Sequence, residues 1–281
     1  MGRKITKEIL EEYRVHLFEE EKSAATINKY MCDLKKLQDF AGGRELSKFL
    51  VIAYKESLRR EGRYKTSSIN SFLVAANRLF EYQGWYDLRI KTFKIQKEIF
   101  VPEDRELSKD EYKILARVAK EEGKERLALI LQTICATGIR VSELSSITAA
   151  AVRNGVATIY NKGKERQVLL PRHLQAKLLQ YMKRVGLERG IVFRTSKGRA
   201  VDRTNIWREM KGLCEKAGVN PKKVFPHNLR HLFARSFYRI GRDIAKLADI
   251  LGHNSIETTR IYLKESYSTY REQLERIELL I

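Results

Sequence analysis

The sequence predicts a mainly α-helical protein of two domains with one small antiparallel β-sheet. Three observations carry this. Apolar residues recur at helical spacing through most of the chain, the period lapses between Leu88 and Glu106, and the stretch from Val152 to Pro171 changes to short β-rich runs separated by Asn-Gly and Lys-Gly turns. At 281 residues with 43% hydrophobic content, the chain can give each of two domains a core. The expected boundaries are 1–88 for a helical domain, 89–106 for a linker and 107–281 for a second domain.

The first domain is expected to be a four-helix bundle. In SAATINKYMCDLKKLQDF, Ile27, Tyr30, Met31, Leu34, Leu37 and Phe40 fall on one helical face, with Ser23 or Thr26 placed to cap. In TSSINSFLVAANRLFEYQG, Ile69, Phe72, Leu73, Ala76, Leu79 and Phe80 repeat the pattern, and Gly84 suits a helix stop. Helices over residues 7–18 and 47–60 complete the bundle. Residues 88–106 alternate Lys with apolar residues and contain Pro102, which reads as an extended connection.

In the second domain SKDE at Ser108–Glu111 is a capping box opening a helix through Ala119, and residues 126–136 form a more apolar helix. The runs 156–160 and 167–170 are β-rich, and turns at Asn154-Gly155 and Lys162-Gly163 predict an antiparallel pair. Helical period resumes at Leu174. A terminal helix over residues 270–281 carries an apolar stripe of Leu274, Ile277 and Ile281. No internal repeat or low-complexity tract interrupts this order.

Fifty-five Lys and Arg against 35 Asp and Glu give a net charge of +20. The excess is concentrated: residues 1–88 hold 16 basic and 13 acidic side chains, whereas residues 153–246 hold 23 basic and 6 acidic. A surface that tracks a phosphate backbone has this footprint, and so does a plain solvated basic face. No apolar run reaches the length of a membrane span, and the first residues lack a signal-peptide stretch, so a soluble, cytoplasmic protein is expected. Cys32, Cys135 and Cys214 are widely spaced and odd in number, which argues against a disulfide framework or a cysteine metal site and suggests three buried thiols. The start MGRKIT matches a myristoylation pattern, but one too short to carry weight.

Nothing resembles a phosphate-binding P-loop, a dinucleotide-binding glycine turn, an H-E-x-x-H helix or a zinc pattern, so a nucleotide hydrolase or metal-centred enzyme is disfavoured. Polar residues in apolar surroundings remain. In PHNLRHLFARSFY, His227, Arg230 and His231 are spaced to share one face of a helix that starts after Pro226; an oxyanion site and a plain basic face both fit. Arg140 in CATGIRVSEL sits at a break after Thr137-Gly138, where a following helix begun by Ser142 and Glu143 lets Glu143 orient it by an ion pair. Lys162 lies at the tip of the hairpin in NKGK, a position equally suited to a solvated turn residue. In LADILGHNSIETTRIYLKE, His253 follows a helix stop at Gly252, and Tyr262 lies nine residues later between two apolar neighbours, as a core tyrosine or a nucleophile.

Taken together, Arg140 in TGIRVSEL, Lys162 in the hairpin, the H-x-L-R-H run from His227 to His231, the LGH at 251–253 and Tyr262 in TTRIYL resemble the catalytic set of the tyrosine site-specific recombinases. Order and spacing are those of the Xer and phage-integrase branch, and the resemblance covers nearly the whole chain. It implies a helical SAM-like core-binding domain followed by an α+β catalytic domain, in a minimal form without a separate arm-binding domain. One departure is the hairpin NKGKER, a residue shorter than in many relatives, so Lys162 is assigned with Lys164 as the alternative.

The resemblance also implies the chemistry. Tyr262 attacks a DNA phosphate to form a 3′-phosphotyrosyl bond, a partner's 5′-hydroxyl later reseals the strand, and no ATP, cofactor or divalent metal is required. Arg140, Arg230 and His253 bind the phosphate oxygens, Lys162 is the general acid and His227 the base or orienter of the tyrosine hydroxyl. His231 and Glu143 act as supports. The implied partners are double-stranded DNA, three further protomers in a homotetramer or a heterotetramer with a related recombinase on two DNA sites, and possible accessory or directionality proteins, with a cytoplasmic, nucleoid-associated location. The terminal helix then packs either on a neighbouring protomer or on its own domain. A catalytically silent DNA-binding protein and a strand-relaxing topoisomerase are the alternatives on the same residues.

Overall fold

The computed structural model describes residues 2–95, 102–161, 164–264 and 267–277. The chain clusters into two compact units, Met1–Lys97 and Glu98–Ile281.

The first unit holds α1 (Lys7–Glu19), α2 (Ala24–Ala41), α3 (Lys48–Arg60) and α4 (Thr66–Tyr82). Thr6, Ser23 and Ser47 cap the first three by accepting from the N–H groups of Ile9, Thr26 and Leu50. Leu34, Leu37, Val51, Leu73, Leu79 and Phe80 fill the core. Cys32 corrects one expectation: it is exposed, because the buried stripe of α2 runs through Ile27, Leu34, Leu37 and Ala41 and leaves position 32 on the outer face. Cys135 is partly buried and Cys214 buried.

The chain leaving α4 is tied back to the same unit. Asn77 donates to the Ile90 carbonyl at 2.8 Å and accepts from the Ile90 N–H at 2.9 Å. Asn70, two turns earlier on α4, makes the same pair with Phe93, both at 2.8 Å. On α3, Lys48 donates to the Arg89 carbonyl and Lys55 to the Lys91 carbonyl. An asparagine amide presents the donor and acceptor of a peptide unit, so residues 89–93 are held as a neighbouring strand would hold them.

The second unit opens with α5 (Lys109–Glu121), whose Ser108–Glu111 capping box forms as the sequence predicts, and α6 (Glu125–Thr137), buried on most of its surface. After Gly138 the segment Val141–Ser146 is a 3₁₀ turn rather than the expected helix, followed by α7 (Ala149–Asn154). Strands β1 (Val156–Asn161) and β2 (Lys164–Leu169) pair antiparallel, with Val156 opposite Leu169 and Ile159 opposite Arg166. β2 starts three residues earlier than its β-rich run. Then come α8 (Arg172–Arg184), α9 (Arg203–Lys211), α10 (Cys214–Ala217), α11 (Pro226–Gly241), α12 (Ile244–Leu251), α13 (Ile256–Tyr262) and α14 (Tyr267–Glu275). α6 packs against both α5 and α11 at the centre of this unit. Leu274 and Ile277 are 66% and 53% exposed; Ile281 lies outside the described residues.

Candidate active site

Pro226 starts α11 because its fixed φ suits the first helical turn and its missing N–H would have had no partner there. The turn that follows brings His227, Arg230 and His231 together, as their spacing predicts. α13, capped by Ser255, ends at Tyr262 and lays that ring among three imidazoles. Ring centres lie 5.1 Å from His227, 4.3 Å from His231 and 4.8 Å from His253, the His231 ring stacked at 18°. The Arg230 guanidinium carbon is 5.6 Å from the tyrosine ring centre, and only 6% of Tyr262 is exposed.

Arg230 is buried, and among the described residues no carboxylate forms an ion pair with it. Its Nη1 donates to the Gly138 carbonyl at 2.5 Å and its Nη2 to the Leu251 carbonyl at 2.7 Å and to His253 Nε2 at 2.9 Å. Gly138 and Leu251 close α6 and α12, so the cation sits against the negative ends of two helices. Burial, then repulsion from Arg140, lowers its pKa to about 10, which leaves it charged at neutral pH. Gly138 is required: it has φ +66°, and a Cβ there would clash with the Phe233 ring.

Arg140 is held from the next turn, as expected. Glu143 accepts from the Arg140 N–H at 2.7 Å and from Nη1 at 3.0 Å. The same carboxylate accepts a two-point contact from Arg166 on β2, Nη1 to Oε1 at 3.0 Å and Nη2 to Oε2 at 2.7 Å. Burial raises the cost of the Glu143 charge, but the bonds from Arg166 and Arg140 outweigh it and bring the pKa to about 2.

The imidazoles are held neutral. Burial first, then neighbouring positive or imidazole groups, lowers His231 to about 3 and His253 to about 4, and burial, then Arg230 and Arg140, lowers His227. Beside this cluster opens a cleft of about 560 Å³ lined by Arg140, Ser142, Arg203, Trp207, His227 and Arg230, three of them cationic. No group of three or more His, Cys, Asp or Glu that could hold a metal ion occurs among the described residues.

Arg140, Glu143, His227, Arg230, His231, His253 and Tyr262 thus meet in one region of the second unit. Lys162 lies outside the described residues. Two contributors were not singled out from sequence. Arg166 occupies the inward register of β2, alternating with buried Val168, and a charge at such a position is the signal that would have found it. Thr259 is fully buried, three residues before Tyr262 on α13, and its Oγ1 lies 2.9 Å from His253 Nδ1.

Residues 105–269 match the Phage integrase family, and residues 10–85 match its N-terminal SAM-like domain. The chain is 30% identical to the tyrosine recombinase XerA of Pyrococcus furiosus, over 98% of this chain and 96% of that protein. It is 31% identical to XerD of Proteus mirabilis, over 85% and 82%. Among solved structures, XerA superposes with a TM-score of 0.54 at 27% identity, over 99% of this chain and 100% of that one. XerH in a post-cleavage complex with difH DNA superposes at 0.74 and 21%, over 89% and 79%. Family profiles over most of the chain and relatives matched over most of their length agree with the residues gathered around Tyr262: the chain belongs to the phage integrase family of tyrosine recombinases.

Proposed function

We propose that this protein is a site-specific recombinase that cleaves and rejoins duplex DNA through Tyr262. The observation that carries the reading is the placement of the Tyr262 ring within about 5 Å of three neutral imidazoles and beside the buried Arg230. The Tyr262 oxygen attacks the scissile phosphorus as the P–O bond to the 5′-oxygen breaks, leaving a 3′-phosphotyrosyl ester and a 5′-hydroxyl. His227, neutral and adjacent, receives or directs the phenolic proton. Arg140, Arg230 and His253 bind the non-bridging oxygens, whose charge grows in the pentacoordinate state; a guanidinium fork fits two of them at once. Lys162 protonates the departing 5′-oxygen, with Lys164 as the alternative acid. Glu143 and His231 hold Arg140 and the tyrosine ring in place. Attack by a 5′-hydroxyl on the phosphotyrosine reverses each bond change, so the reaction needs no ATP.

Residues 1–88 act as the core-binding domain, 89–106 as the linker and 107–281 as the catalytic domain. The assembly is four protomers on two DNA sites; the relative lambda integrase has been solved as a tetramer bound to a Holliday junction. Leu274 and Ile277, exposed on a single chain, supply the apolar face for exchange between protomers. Among the described residues no helix is long and apolar enough to cross a membrane, in keeping with a place in the cytoplasm at the nucleoid.

The test is trapping on nicked suicide duplexes. Wild type forms a denaturant-resistant protein–DNA adduct; Tyr262→Phe forms none yet binds the same duplexes with the same steep salt dependence. Adduct formation by Tyr262→Phe overturns the nucleophile assignment, and equal binding with no adduct from either protein favours a silent DNA-binding role.

A further inference from the structure

His253 is drawn in two directions at once. Arginine has donors only, so the 2.9 Å contact between Arg230 Nη2 and His253 Nε2 makes Nε2 an acceptor. A neutral imidazole that accepts at Nε2 carries its proton on Nδ1, and Nδ1 lies 2.9 Å from Thr259 Oγ1, to which it donates. To bind a phosphate oxygen, the same ring must present Nε2–H. Protonating it fully is opposed by burial and by Arg230, Arg140 and Arg166, with His227 beside it; the nearby carboxylate, Glu143, is already engaged by two arginines. Tyr262, from α13, lies with its ring centre 4.8 Å from that of His253, the two planes tilted by 45°.

Thr259 resolves the conflict, because a hydroxyl accepts or donates according to how it rotates. We propose that Thr259 is a positioning residue whose hydroxyl lets His253 change tautomer without changing charge. In the free protein, Nδ1–H donates to Thr259 and Nε2 accepts from Arg230. When a DNA phosphate engages Arg230, one proton leaves Nδ1 for water and another joins Nε2 from water. The Thr259 hydroxyl turns to donate to Nδ1, and Nε2–H donates to the phosphate. No net proton is gained. Thr259 has the geometry for this: it is fully buried, on the first turns of α13, and fixed to the element that carries Tyr262.

The inference rests on the reading of His253 as a phosphate donor, and the experiment separates the two. Thr259→Val keeps shape and burial but removes the hydroxyl, whereas Thr259→Ser keeps the hydroxyl and opens a small gap. On the nicked duplex that traps wild type, Thr259→Val is expected to slow adduct formation about tenfold or more and Thr259→Ser to stay within about threefold. A merely structural role gives the reverse order. In a His253→Ala background, Thr259→Val should have no further effect. With ¹⁵N-histidine labelling, His253 should show the Nδ1–H tautomer in free Tyr262→Phe protein and the Nε2–H tautomer when that protein binds the duplex. The same tautomer in both states, or an imidazolium with DNA, overturns the proposal, as does wild-type cleavage by Thr259→Val. Wild-type cleavage by His253→Ala overturns instead the underlying reading of His253.

Discussion

Arg166 and Glu143 face each other across the hairpin and the Val141–Ser146 turn in a two-point ion pair, with both guanidinium Nη atoms on both carboxylate oxygens at 3.0 and 2.7 Å. The side chain of Glu143 is 5% exposed and that of Arg166 15%. Because Glu143 also binds Arg140, one buried carboxylate fixes a strand residue and a candidate phosphate-binding residue together.

Removing Arg166 leaves that carboxylate short of charge. Arg166→Ala is expected to destabilise the protein by about 3 kcal/mol, since breaking a buried pair on one side strands the other charge. Arg166→Lys should recover the charge but not the two-point geometry, and should still slow adduct formation. Chemical denaturation and single-turnover trapping measure the two effects; wild-type values for Arg166→Ala in both would remove Arg166 from the site.

Gly252 makes room for this pair. It has φ +63°, and an added Cβ would lie 2.7 Å from Arg166 Cδ. Gly252→Ala should therefore cost about 1–3 kcal/mol, from left-handed backbone strain and displacement of Arg166. Combined with Arg166→Ala the loss should be less than additive, which a double-mutant cycle of melting curves reads.

Acid should unfold the second unit from the histidines first. His231 and His253 have folded pKa values of about 3 and about 4, both below the ordinary 6.5. The unfolded chain takes up protons below pH 6.5 that the folded chain refuses. Stability is therefore fully present above that pH and falls as pH drops toward 4, by at most about 1.4 kcal/mol per unit for each histidine. Glu143, depressed from 4.5 to about 2, adds a second loss below pH 4.5. His231→Gln should make the first decline in Tm between pH 6.5 and 4 shallower, leaving the part due to His253, and leave the second decline unchanged.

The strap on the first unit should be worth a comparable amount. Asn77→Ala removes both partners of the Ile90 peptide and is expected to lower the stability of that unit by about 1–3 kcal/mol. Asn77→Asp retains the acceptor and loses the donor, so it should fall between. Amide hydrogen exchange at Ile90 should quicken in both variants; unchanged protection would mean the segment is held elsewhere.

The local signals were legible because they depend on neighbours in sequence. Helical spacing gave α2 and α4, Ser108 and Glu111 gave the start of α5, and Pro226 gave a helix on which His227, Arg230 and His231 converge. The sequence by itself determined the helical class, the small hairpin and the residue types around Tyr262. The tertiary structure decided what no periodicity records. It brought the C-terminal carbonyls of two helices, Gly138 and Leu251, onto Arg230 from 92 and 21 residues away. It also set Arg166 on Glu143 across 23 residues and pinned Ile90 and Phe93 to α4. Buried charges and peptide groups take whichever partner the packed core leaves within hydrogen-bond reach, and that proximity exists only once the chain has folded.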